Sequence, residues 1–103
     1  MENRITKEKL EKYFLVTEKA YSIAKKSIKK KDYDMEDRIN SKKEIEKMFL
    51  DMPKRYISDA KWFYKKNDFV NAFAALNYAH GWLDAGASSG IFDVNDSELF
   101  TVD

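Results

Sequence analysis

The residues of this chain best suited to chemistry lie in its last third. His80 is the sole histidine, with Asp84 four positions later and Asn77 three positions earlier. On a helix, positions i and i+4 share a face, so the imidazole would stand beside the carboxylate, the arrangement that orients a histidine for acid–base work. Nothing completes such a site. No serine or cysteine nucleophile is placed by sequence beside the pair, and no second histidine could build a common metal site. The pair is therefore read as a hydrogen-bonded contact inside a helix interface, with an enzyme acting through His80 and Asp84 only as a third choice. Asp34, Glu36 and Asp37 lack the glycine and spacing of a calcium loop, and no glycine-rich phosphate loop exists. No catalytic, metal-ligating or cofactor-binding residue is assigned.

Around His80 and Asp84 stand Tyr78, Gly81, Trp82 and Gly86, and these six residues form the candidate binding or packing surface. Glycine in a helix interior costs about 1 kcal/mol relative to alanine, so close approach of a backbone or ring is expected at Gly81 and Gly86. A second candidate is the run Lys25, Lys26, Lys29, Lys30 and Lys31. Cations at a helix C-terminus complement its dipole, so a solvated helix end accounts for them, with phosphate contact as the alternative. The fifteen aromatic residues offer stacking surfaces for single strands. At helical spacing they are first of all core.

The elements that must position these residues are helices. Of 103 residues, only three are glycine and one is proline, while 44% are apolar and 36% charged, which suits long helices and short loops. Thr6 is placed to cap a first helix ending near Lys30, with Leu10, Tyr13, Phe14, Thr17, Ala20, Tyr21, Ala24 and Ile28 on one stripe. Residues 31–40 show no clear period and read as a loop. A second helix from Asn40 to Lys66 carries Ile45, Phe49, Met52, Tyr56, Ala60 and Phe63 in register on both sides of Pro53, where a kink or a restart is expected.

Lys66, Asn67 and Asp68 make a tight turn, with Asp68 as the cap of a third helix ending near Ser89. That helix is apolar on most sides, which calls for burial on most sides, either between the other two helices or against another subunit or the tail. Gly90 is a natural C-cap. Ile91 to Val94 should dock on the bundle, whereas residues 1–5 and 95–103 are expected to fray. The fold class is thus all-α, an antiparallel three-helix bundle in a single domain, with a short C-terminal tail docked on it.

Charge and cysteine content limit the partners. Net charge is only +1, which argues against a strongly basic nucleic-acid binder. Its distribution is uneven: +6 over residues 1–31, +1 over 32–66 and −6 over 67–103. Opposite blocks on so small a chain attract each other. There is no cysteine, and neither a signal-like apolar run at the start nor a stretch long enough for a bilayer. A cytoplasmic protein without membrane contact is expected.

Two runs carry a family resemblance. Tyr78-Ala79-His80-Gly81-Trp82-Leu83-Asp84-Ala85-Gly86 followed by Gly90-Ile91-Phe92-Asp93-Val94, with Lys66-Asn67-Asp68-Phe69-Val70-Asn71-Ala72-Phe73 before them, closely resemble the archaeal domain of unknown function three-five-seven. The resemblance is specific over the last half of the chain and general over the first helix. It implies a compact three-helix bundle in an archaeal cytoplasm, and transfers no catalytic residue because the family has no established activity. The expectation for function is a non-enzymatic interaction module that binds a protein partner or self-associates. Its rival is a nucleic-acid accessory protein that binds weakly through the basic end of the first helix.

Overall fold

A computed structural model describes residues 5–29, 36–96 and 99–100. It contains three helices, α1 (Lys7–Lys29), α2 (Glu36–Lys65) and α3 (Phe69–Ser88). α3 packs against both α2 and α1, and α1 also touches α2. Among the described residues no helix is long and apolar enough to cross a membrane.

α1 starts where its cap stands. The Thr6 hydroxyl accepts a hydrogen bond from the Lys9 amide at 3.1 Å, satisfying one of the donors that a helix N-terminus leaves open. Leu10, Thr17, Ala20 and Ala24 are completely buried, which is the stripe that helical periodicity dictates. Small residues at 20 and 24 leave room for the tail described below.

α2 runs unbroken through Pro53, which is itself buried. The helix does not restart there, and the register is shared on both sides as expected. Two points of the expected helix change. The helix begins at Glu36, so 36–40 are helical and only 31–35 of the expected loop fall outside the described residues. Neither glycine nor proline interrupts 30–40, and a missing hydrophobic period is not itself a helix stop. Ile45, expected on the core face, is 45% exposed, and Glu46 is buried instead. The rest of the expected stripe, Phe49, Met52, Tyr56, Ala60 and Phe63, stays covered, and Phe49 and Leu50 pack against the tail cluster of Phe92, Leu99 and Phe100.

The turn into α3 stacks a C-cap on an N-cap. Asp68 N–H donates to the Phe63 carbonyl at 2.9 Å and Asn67 N–H to the Tyr64 carbonyl at 3.0 Å, the paired bonds of a Schellman ending. Asn67 supplies the left-handed residue that this ending needs, at φ 60°. Asp68 then caps α3, its Oδ1 accepting from the Asn71 amide at 3.2 Å and its Oδ2 from the Asn71 side chain at 2.6 Å. Three residues thus reverse the chain and set α2 and α3 antiparallel.

α3 ends in the same way. Ile91 N–H reaches the Gly86 carbonyl at 2.9 Å, Gly90 N–H reaches the Ala87 carbonyl at 3.2 Å, and Gly90 sits at φ 76°. The chain folds back at this point, and the Phe92 ring lies directly on Gly86, where an added Cβ would collide with it. Leu99 and Phe100 are 8% and 3% exposed, so the expectation of fraying from residue 95 does not hold for them. Two large apolar side chains separated from Phe92 by a polar stretch find cover against Ala20, Ala24 and Leu83.

The left-handed Asn67 generates a test. Asn67→Gly should keep or slightly raise stability, whereas Asn67→Val should cost about 1–2 kcal/mol, the penalty of forcing a β-branched residue into that region. Urea melts of the two variants measure it, and equal stability would contradict the assigned turn.

Candidate functional site

α3 carries all six residues of the candidate surface, and it divides them between four surroundings. At 100° per residue, His80 and Asp84 fall on one flank, Tyr78 and Trp82 on the other, Gly86 faces inward and Gly81 faces outward.

The His80 flank faces α1. Tyr13 of α1 donates from its hydroxyl to Asn77 Oδ1 at 2.8 Å, and its ring centroid stands 5.9 Å from that of His80. His80 Nε2 lies 3.7 Å from Asp84 Oδ1. The i, i+4 geometry is the expected one, but that separation exceeds hydrogen-bond range. The reading of a hydrogen-bonded pair is corrected accordingly: the two side chains are neighbours along the seam. His80 Nδ1 is buried without a hydrogen-bond partner in the protein, as is the Thr17 hydroxyl on α1. Burying an unpaired polar atom costs about 1–3 kcal/mol, and among the described residues these two are the buried side-chain atoms without a partner.

Tyr13, which sequence periodicity placed simply in the core, is electrostatically tied to this flank. Burial pushes its hydroxyl above the ordinary value of 10.0, and the nearby Asp84 charge pushes in the same direction. Tyr13, Asn77, His80 and Asp84 therefore form one polar line along the α1/α3 seam. The α1 member could not be found from local spacing, because it is brought in by tertiary packing 64 residues away from Asn77. Nothing in the line supplies an activated nucleophile. Among the described residues, no group of three or more His, Cys, Asp or Glu side chains could hold a metal ion.

The opposite flank faces α2. Trp82 meets Phe49 edge-on at 5.0 Å, and Tyr78 stacks on Tyr56 at 5.3 Å. α3 thus lies between the other two helices, one of the arrangements its all-round apolar character allowed. The coverage is incomplete, however. Tyr78 is 63% exposed, and Phe49, Asn77, Tyr78, Gly81, Trp82 and Ala85 line an open depression of about 350 Å³.

Gly81 corrects a second expectation. Close packing was to explain it, yet a Cβ built there would meet nothing within 4 Å, and the residue is exposed. Gly86, by contrast, is buried under Phe92. The outward stripe of α3 is Val70, Ala74, Asn77, Gly81, Ala85 and Ser88, with Tyr78 at its edge. It contains no charged residue, because Asp84 is the only charge in the whole helix. An exposed helix face ordinarily carries Lys and Glu.

The second candidate, the lysine run, is only partly described. Lys25 and Lys26 are exposed on the last turns of α1, and Lys29 belongs to the helix. Lys30 and Lys31 lie outside the described residues. Exposed lysines here are the ordinary complement of a helix C-terminus.

Comparison with known proteins assigns the family. A family model described as "Protein of unknown function (DUF357)" matches residues 4–92, so the chain belongs to that family. No curated protein and no solved structure matches it.

The Tyr13 environment makes a pH prediction. A tyrosine whose folded-state value is raised contributes stability that is fully present below pH 10.0 and is lost as pH rises through the raised value. In Asp84→Asn, the titration midpoint of Tyr13, followed by its ¹³Cζ shift, should move down towards 10.0 while staying above it, because burial remains. An unchanged midpoint would show that Asp84 does not act on this hydroxyl.

Proposed function

We propose that this member of the DUF357 family is a non-enzymatic helical interaction module that binds another protein through the outward face of α3. The observation that carries the reading is the uncharged, exposed stripe of that helix. Val70 and Tyr78 are more than 60% exposed, and Ala74, Gly81, Ala85 and Ser88 along the same stripe are small residues that allow a partner's backbone to come close.

Three features support the reading. An open depression lined by Phe49 of α2 with Asn77, Tyr78, Gly81, Trp82 and Ala85 adjoins the stripe, an exposed apolar surface of the kind that marks interaction sites. The exposed Gly81 reduces helix propensity without any compensating contact inside the chain, a cost that an intermolecular contact would offset. The polar line beside the stripe lacks the nucleophile and the oriented base that catalysis needs. The absence of cysteine and the family resemblance fit an archaeal cytoplasm as the setting of this module.

Site-specific photo-crosslinking tests the proposal. A benzophenone side chain at Ala85 should give discrete adducts in extract of the native cell, and the same group at the exposed Asp59 should not. Tyr78→Lys should remove those adducts while the free protein keeps its helical circular dichroism and loses no more than the roughly 0.5–1.5 kcal/mol of stability that an aromatic pair such as Tyr56–Tyr78 contributes. Equal adduct patterns at the two positions would refute an interaction face on α3.

A further inference from the structure

A separate groove runs along the seam of α1 and α2 and is lined by those two helices alone. One depression of about 430 Å³ lies between Glu11, Phe14, Leu15 and Glu18 of α1 and Lys61, Tyr64 and Lys65 of α2. It continues into a second, of about 370 Å³, between Glu18 and Tyr21 on one side and Lys54, Ile57, Ser58 and Lys61 on the other. The floor is apolar and aromatic. Leu15 stands on its edge, 69% exposed, where a lone leucine gains nothing from its own chain.

The charges on the two walls are segregated by sign. Every charged lining residue of α1 is a glutamate, and every one of α2 is a lysine. Two contacts across the groove fix the heights of the walls. Lys61 Nζ lies 3.0 Å from Glu18 Oε1, and the Tyr64 hydroxyl donates to Glu11 Oε1 at 2.6 Å. Glu18 is therefore level with Lys61, and Glu11 with the turn that holds Tyr64 and Lys65.

We infer that this groove is the contact surface for a second copy of the chain. A two-fold axis parallel to the helices preserves height and exchanges left with right. It sets the acidic α1 wall of one copy over the basic α2 wall of its partner, with each Glu18 flanked by Lys61 from both copies. The four helices then alternate in direction around the contact, as in an antiparallel bundle. Leu15 from each side is covered by the facing groove. A two-fold axis across the helices would oppose glutamate to glutamate and lysine to lysine, which charge repulsion disfavours. The surface is thus complementary to its own image in one orientation. The pairing is independent of the proposed face on α3 and leaves that face open.

Charge swapping in the full chain tests it. Sedimentation equilibrium at low ionic strength should give twice the mass of the single chain, falling towards the single-chain mass as salt screens the walls. Glu11→Lys with Glu18→Lys makes both walls basic, and Lys61→Glu with Lys65→Glu makes both acidic. Each double variant alone should be monomeric with unchanged helical circular dichroism, and an equimolar mixture of the two should recover the dimer mass. Should either double variant lose its helical signal, the single change Leu15→Lys, at an exposed position, gives the same reading and should be monomeric. A monomeric wild type, a dimer that survives these substitutions, or a mixture that stays monomeric overturns the inference. Tyr78→Lys should leave the dimer intact, and dissociation in that variant would move the contact to α3 and equally overturn it.

Discussion

The arrangement of this protein depends on one constraint: α3 holds a single charge in 20 residues and must find cover on most of its circumference. Ala72, Ala75, Leu76, Ala79, Leu83 and Gly86 are all buried. They meet α1 on one side, α2 on the other and the returning tail at the end. Each fully buried leucine contributes roughly 1.5–3 kcal/mol relative to exposure, while the alanines and Gly86 contribute mainly by allowing close approach. The seat of Phe92 on Gly86 is the clearest case, because the ring occupies the volume that any side chain at 86 would need.

The same constraint explains what stays open. Two helices and one short tail do not surround a third completely, so the outward stripe of α3 and the adjoining Tyr78 remain accessible. The absence of charge on that stripe distinguishes it from the rest of the surface, where Lys and Glu are abundant. α1 and α2 meet each other less extensively than either meets α3, and their own groove is left with an acidic and a basic wall. The molecule thus presents two unlike surfaces: one neutral and built of small residues, the other apolar at its floor and polarised by charge.

Much of this was legible in the sequence. Capping residues Thr6 and Asp68, the αL position at Gly90 and the stripe Leu10, Thr17, Ala20 and Ala24 follow from local rules. The need of α3 for cover on most sides was legible too, although the sequence left open whether the other helices, the tail or another subunit supplies it. What local rules missed was set by tertiary contact. Ile45 and Glu46 differ by 100° on the wheel, and the structure covers Glu46 and exposes Ile45, which hydropathy alone would reverse. Gly81 and Gly86 look alike in sequence, yet one faces solvent and the other a phenylalanine ring. Tyr13 joins His80 and Asp84 only because α1 and α3 run side by side, a relation that no spacing within α3 encodes.

That difference between the two glycines gives the most direct measurement of α3 as a helix with one packed and one open face. Denaturant melts of Gly81→Ala and Gly86→Ala compare the faces with the same chemical change. Gly81→Ala should stabilise the protein by about 1 kcal/mol through helix propensity alone. Gly86→Ala should destabilise it by roughly 1–3 kcal/mol, because overpacking displaces Phe92. A loss of stability in Gly81→Ala, or an unchanged melt in Gly86→Ala, would contradict the placement of α3 on which the whole account rests.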